Sequence, residues 1–295
     1  MKSKSRNRLI HKIAFLKNIK ENSADLSGKQ VKIADYILRH YDKAAFMTAA
    51  RLASEVGVSE STVIRFAISL GYKGYPEFQG YLQKIIVEQL TSTERLELSI
   101  HSEAKDDLLS QTFLKEANNI KEAYKNVSPD DFRSMVDLIL ESKKIFVTGI
   151  RASTCLAQYF AFQLGRIREN ALGITFGGRE SWDLIRGGGA EDLLIAIAFP
   201  RYPRETIELV DFALHLKMRV AGITDRMASP IARRCRPTLL VPFELVTFVD
   251  LYSAPLTIMA ALTAEVAIRA ESKSFACLER FEDFVKQSKI FYKMN

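Results

Sequence analysis

The sequence predicts two architectures in one chain. The first is an all-α N-terminal domain of short helices. The second is an α/β domain whose parallel sheet is flanked by helices on both faces. Three observations carry this reading. A length of 295 residues exceeds one minimal domain. Apolar residues recur at helical spacing through the first third. From residue 143, near-continuous apolar runs alternate with amphipathic segments, the pattern of strands covered on both sides.

Composition bounds the class. Apolar residues make up 47% and charged residues 26%, an ordinary globular balance. No apolar run reaches the ~20 residues of a membrane span. The basic start MKSKSRNR lacks a following apolar signal region, so a cytoplasmic protein with no membrane partner is expected. Cys155, Cys235 and Cys277 are widely spaced and include no CxxC, which reads as three reduced, mostly buried thiols. The four histidines show no metal-ligand spacing, and neither metal nor cofactor is implied.

Charge divides the chain. Residues 1–90 hold 15 Lys/Arg against 8 Asp/Glu, whereas residues 91–295 hold 27 of each. The whole excess of +7 sits in the first third, as in a polyanion-binding end joined to a balanced one.

Within that basic third, VKIADYILRHY places Val31, Ala34, Ile37, Leu38 and Tyr41 on one helical face. TAARLASEVG repeats the spacing with Ala49, Leu52, Ala53 and Val56, and Gly57 stops the helix. Ser59 is a good N-cap, with Glu60 in a first turn whose dipole favours an acid. The helix that follows buries Val63, Phe66, Ala67 and Leu70, turns Ser61, Thr62, Arg65 and Ser69 outward, and ends at Gly71.

Two short helices joined by a glycine-containing turn, the second opening with small polar residues, form a helix-turn-helix. The second helix enters the major groove by its N-terminal end, where hydroxyls can bond phosphates or base edges and an arginine can reach a guanine. Lys73, between glycines, is placed for a backbone phosphate. The candidate DNA-binding residues are Thr48, Ser59, Glu60, Ser61, Thr62, Arg65, Lys73 and Tyr75.

Residues 32–78, KIADYILRHYDKAAFMTAARLASEVGVSESTVIRFAISLGYKGYPEF, resemble the N-terminal domain of RpiR-type bacterial transcriptional regulators. The resemblance implies that Ser59 to Arg65 begin the recognition helix. It also implies double-stranded operator DNA as partner, bound by a homodimer or homotetramer.

Beyond this domain (1–90), a helical linker is expected over 91–129. Leu108, Leu109, Phe113, Ala117, Ile120 and Tyr124 fall in helical register there, fitting either a helix packed on a partner subunit or a simple spacer. Ser128 and Pro129 open the next domain as cap and first helical residue.

The α/β domain (130–272) reads as strands KIFVTG, ALGITF, DLLIAIAF, RVAGITD and PTLLVPF. Helices fall between them, including a short one at SPIARRC, and a long apolar helix spans roughly Tyr252 to Ala270. A C-terminal helix is expected over 273–295. Ligands of such sheets sit at the carboxyl ends of the strands, near helix N-termini that attract anions.

At the first strand end, GIRAST lacks G-x-G-x-x-G and a following acid, so it is no dinucleotide fingerprint. Ser153 and Thr154 open a helix there, either as an oxyanion site or as an ordinary cap. The order VTGIRAST first and LLIAIAFPRYPRET third is similar to the SIS (sugar isomerase) domain carried by RpiR-type regulators, over about residues 130–270. That resemblance implies an anionic sugar effector between the first and third strand ends, in a pocket completed across a dimer.

Two departures stand out. The SIS pattern Gly-Ile-Gly becomes Gly149-Ile150-Arg151, while Ser153 keeps its place. Aligned on Ala198 to Glu205, the motif S-x-S-G-x-T-x-E loses both serines and its threonine, keeps Glu205, and gains Arg201, Tyr202 and Arg204. Guanidinium groups there suit a ligand with more than one negative charge. Otherwise Arg201 and Arg204 face solvent or pair with Glu180, Glu205 or Glu208.

The candidate ligand-binding residues are Gly149, Arg151, Ser153, Thr154, Arg201, Tyr202, Arg204 and Glu205. A metabolite-responsive transcriptional regulator is the expected function, and no catalytic residue is assigned. The alternatives are a sugar-phosphate isomerase using Glu205 or Glu180 as base, and a constitutive DNA binder with a vestigial pocket.

Overall fold

The computed structural model describes residues 26–40, 44–45, 47–87, 91–100, 107–241 and 247–292. The basic N-terminal stretch, Tyr41 and the last residues of the expected C-terminal helix lie outside them. Contacts divide the chain into two units, Met1–Glu97 and Leu98–Asn295.

Among its described residues the first unit forms helices and connecting turns, with no strand. It contains α1 (Gly28–Arg39), α2 (Ala49–Val56), α3 (Glu60–Ser69) and α4 (Tyr75–Val87), followed by α5 (Ser92–Ile100) across the boundary. Its core joins Ile33, Ile37, Leu52, Val63, Phe66, Phe78 and Leu82, with Phe66 and Phe78 edge to face at 5.7 Å. The expected face of α1 is shifted: Ile33 is buried and Val31 is exposed. Gly57 closes α2 in the left-handed region at φ 71°, and the Val58 N–H reaches back to the Ala53 carbonyl at 2.9 Å. That backward bond is what lets α3 start only three residues later.

The second unit opens with α6 (Leu108–Asn126) and α7 (Pro129–Glu141), the latter capped by the Ser128 hydroxyl on the Asp131 N–H at 3.2 Å. Strands β1 (Ile145–Thr148), β2 (Ala171–Ile174), β3 (Leu193–Ile197), β4 (Arg219–Thr224) and β5 (Thr238–Leu240) form a parallel sheet in the order β2-β1-β3-β4-β5. Ile145 pairs with Ala171 on one side and Leu193 on the other.

Alternate residues of one strand feed opposite layers. Ile145, Val147, Leu193 and Ile195 pack with α7, α8 (Thr154–Arg168) and α11 (Ser253–Arg269). Phe146, Leu194 and Ala196 pack with α9 (Arg179–Ile185) and α10 (Arg204–His215). The expected parallel sheet with helices on both faces is therefore present, and α12 (Glu271–Ser288) is the last helix among the described residues.

SPIARRC is not a helix. Residues 230–234 form successive turns, because Pro230 and the Ser229 hydroxyl on the Ala232 N–H tighten the backbone locally. Cys235 and Cys277 are buried and Cys155 is exposed, in keeping with a mostly buried set. Among the described residues no single helix is long and apolar enough to cross a membrane.

Candidate DNA interface and effector site

In the first unit the helical repeat sorts α3 into two faces. Thr62, Val63, Phe66, Ala67 and Leu70 are buried; Glu60, Ser61, Ile64, Arg65, Ile68 and Ser69 are exposed. Ser59 is the N-cap, and its hydroxyl bonds Ser61 Oγ at 2.9 Å and Thr62 Oγ1 at 2.8 Å, not a backbone N–H. The Arg65 Nε donates to the Ser61 carbonyl at 3.2 Å, holding the guanidinium along the exposed face. Thr48 is exposed and caps α2 by accepting from the Arg51 N–H at 3.2 Å. Lys73 is exposed, its backbone N–H donating to Glu77 Oε2 at 2.6 Å.

Two of the candidate DNA-binding residues face the core instead. Thr62 is buried because it lies one turn before Phe66 on the packed side of α3. Tyr75 is buried too, and its hydroxyl donates to the Met47 carbonyl at 2.8 Å; burial pushes its pKa up to about 12. Both are fold residues. Ile64 and Ile68, passed over in the sequence, stand on the exposed stripe with Ser61 and Arg65.

The second site gathers at the carboxyl edge of the sheet. A Cβ at Gly149 would meet the Ser153 carbonyl oxygen at 2.5 Å, so only glycine lets β1 turn this closely into the 3₁₀ turn Arg151–Ser153. Arg151 occupies the left-handed region at φ 60° and points to solvent. Ser153 is buried and hydrogen-bonds the Tyr252 hydroxyl, which lies 3.3 Å from Asp250 Oδ2. Burial first, and then Asp250, raise the Tyr252 pKa far above the usual phenol range.

The Tyr252 ring also packs on Phe199, just after β3, at 5.9 Å. Next in the chain, Ser253 gives its N–H and hydroxyl to Glu116 Oε1 of α6, at 3.2 and 2.8 Å. Thr154 turns its hydroxyl back towards the Gly149 and Thr175 carbonyls at 3.4 and 3.5 Å.

In the loop after β3, Arg201 and Arg204 are exposed. Arg204 pairs with Glu208 at 2.7 Å, one of the pairings left open in the sequence. Tyr202 is half-buried, and its hydroxyl donates to Asp225 Oδ1 at 2.6 Å, tying this loop to the end of β4. Burial raises the Asp225 pKa against the opposing hydrogen bonds of Tyr202 and Thr224. The Glu205 stem lies over Gly177, where an added Cβ would meet Glu205 Cγ at 2.5 Å.

The structure thus brings Ser153, Phe199 and Tyr252 together, and joins Glu205 to the loop after β2. Tyr252 and Asp250 were missed because they lie about 50 residues beyond β3 and carry no motif. Thr206 was also passed over. The spacing T-x-E recurs at Thr206-Ile207-Glu208, and Thr206 Oγ1 is buried in the first turn of α10 without a hydrogen-bond partner among the described residues.

A two-helix reading head on one unit and a sheet with arginine-bearing strand ends on the other define a DNA-binding regulator with a sugar-isomerase-like domain. The helix-turn-helix domain of the rpiR family matches residues 13–89, and the SIS domain matches residues 138–265. The HTH-type transcriptional regulator YfhH of Escherichia coli K12 is 30% identical over 227 residues, covering 74% of this chain and 78% of YfhH. HexR of Pseudomonas aeruginosa is 26% identical, covering 86% of this chain and 90% of HexR.

Among solved structures, the Vibrio vulnificus NanR protein complexed with ManNAc-6P superposes with a TM-score of 0.56 at 20% identity. It covers 92% of this chain and 98% of NanR, and supports the fold. The chain belongs to the RpiR family of HTH-type transcriptional regulators.

Proposed function

We propose that this regulator senses an anionic sugar derivative, a phosphosugar or phosphorylated sugar acid, and adjusts its hold on operator DNA in response. The observation that carries the reading is the set of exposed arginines, Arg151, Arg201 and Arg204, in the segments that follow β1 and β3 at the carboxyl edge of a parallel sheet. Anions collect at such edges, and paired guanidinium contacts favour a multiply charged ligand. NanR, of the same fold, was solved with a phosphorylated sugar.

The chain acts in the cytoplasm as a regulator, without isomerase activity. It works as a homodimer or homotetramer: Leu109, Phe113, Leu114 and Tyr124 of α6 are 73%, 71%, 70% and 86% exposed, an apolar face suited to a second copy. Sedimentation of wild-type protein and of a charge variant in this face reads that assembly.

A thermal-shift panel tests the ligand class, with sugar phosphates, phosphorylated sugar acids and their unphosphorylated counterparts as probes. A ligand at 100 times its Kd stabilises by ~2.7 kcal/mol. Shifts confined to phosphorylated compounds are expected. Shifts only with unphosphorylated acids change the ligand class, and a flat panel removes the sensing role.

A further inference from the structure

The exposed stripe of α3 carries two isoleucines that its core does not use. Ile64 is 39% exposed and Ile68 52%, although Val63, Phe66, Ala67 and Leu70 already fill the packed face. Single exposed apolar residues are unremarkable on a protein surface. This pair is different in its neighbours, since positions 61, 64, 65 and 68 form one helical stripe in the order Ser, Ile, Arg, Ile. Hydroxyl and guanidinium suit base edges and phosphates. The major groove offers one apolar group to match an isoleucine, the C5-methyl of thymine. The β-branched side chain is stiff within a helix, so little freedom is lost when it meets a fixed methyl.

We propose that Ile64 and Ile68 are specificity-determining residues that read thymine methyl groups beside the contact made by Arg65. The inference rests on α3 being the helix that enters the groove. Residues four apart rise about 6 Å along a helix, and bases on one strand about 3.4 Å per step. The two methyls therefore lie about two base steps apart. The excess positive charge of residues 1–90 supplies sequence-independent attraction, which leaves this stripe to discriminate.

The test uses the full chain and duplexes that it selects from a random-sequence pool. Each thymine of the selected duplex is then replaced singly by deoxyuridine, which removes the methyl and nothing else. At one or two thymines per half-site, affinity is expected to fall about three- to five-fold, the worth of one buried methyl. Ile64→Ala and Ile68→Ala, both at exposed positions, should melt as wild type does and each abolish the uridine effect at its own thymine. Ile68→Val should retain it.

Indifference to uridine at every thymine overturns the proposal. So does an undiminished uridine effect in both alanine variants, or a pool that yields no preferred sequence. Failure of the underlying reading looks different: Arg65→Ala and Ser61→Ala then leave the affinity for the selected duplex unchanged.

Discussion

The two units carry their functional surfaces in different ways. In the first, one helix face presents Ser61, Ile64, Arg65 and Ile68, and the buried face of the same helix holds it in place. In the second, the surface is assembled from the ends of β1, β2, β3 and β4 and the start of α11, with Glu116 reaching in from α6. A helix face depends on its own register alone. An assembled edge depends on every cross-tie, and α6 still leaves a broad apolar face open. The α3 stripe is narrow and mixed, suited to a polar groove with sparse methyls, whereas the α6 face is wide and continuous, suited to protein.

The largest expected effect comes from that open face. Phe113→Glu would place an unpaired carboxylate in the proposed contact between copies, and self-association should weaken on the order of 100-fold. Sedimentation at micromolar concentration reads the change, while far-UV circular dichroism should stay as in wild type because the position is exposed. A variant that sediments as wild type does would remove α6 from the assembly and weaken the contrast with α3.

The cross-ties predict a smaller effect. Tyr202→Phe takes the 2.6 Å donor away from the part-buried Asp225 carboxyl, and about 1–3 kcal/mol of stability in the second unit should go with it. Trp182, the chain's one tryptophan, stacks on Phe212 at 4.6 Å and reports unfolding of this unit by fluorescence.

The pH dependence has a definite sign. Burial holds the folded Asp225 pKa above its ordinary 3.8, so the fold favours the protonated acid. This group's contribution is most favourable below pH 3.8 and declines as pH rises from there to the folded pKa, where it levels off. Removing the Tyr202 donor raises the folded pKa further and deepens the decline, whereas Asp225→Asn flattens it. Parallel urea midpoints from pH 4 upward in wild type and Tyr202→Phe would show that the tie carries nothing.

The same contrast explains what could be read in advance. The near-continuous apolar runs IFVT and LLIAI announced strands covered on both faces, because an unbroken short apolar run is a local property. Gly57 and Ser59 announced the turn between α2 and α3, because each acts on its own neighbours. Thr62 was misjudged by one position on the helix: a threonine is small enough to pack, and its hydroxyl finds Ser59. Tyr75 hid its polarity in a bond to Met47, 28 residues earlier. At the sheet edge, the meetings of Tyr252 with Ser153 and of Tyr202 with Asp225 span long stretches of chain and leave no local trace. The arginines of FPRYPRET were conspicuous, but the partner that Arg204 takes is set by the helix it begins.

That partner frames the smallest expected effect. Arg204 is the first residue of α10, with its side chain 89% exposed. Its charge sits at the positive end of the helix dipole, where a cation is unfavourable. The Glu208 pair offsets this by only a few tenths of a kcal/mol, because it is solvent-screened and runs in the weaker orientation, with the base N-terminal to the acid. Arg204→Ala should therefore change stability by less than about 0.5 kcal/mol in either direction. Stability does not account for an arginine here, whereas the proposed anion contact would. The same variant should lose about ten-fold or more in affinity for whichever phosphorylated compound the panel identifies, the worth of one charge-assisted hydrogen bond. A melting temperature near wild type combined with unchanged ligand affinity would leave Arg204 a solvated residue and confine the anion contact to Arg151 and Arg201.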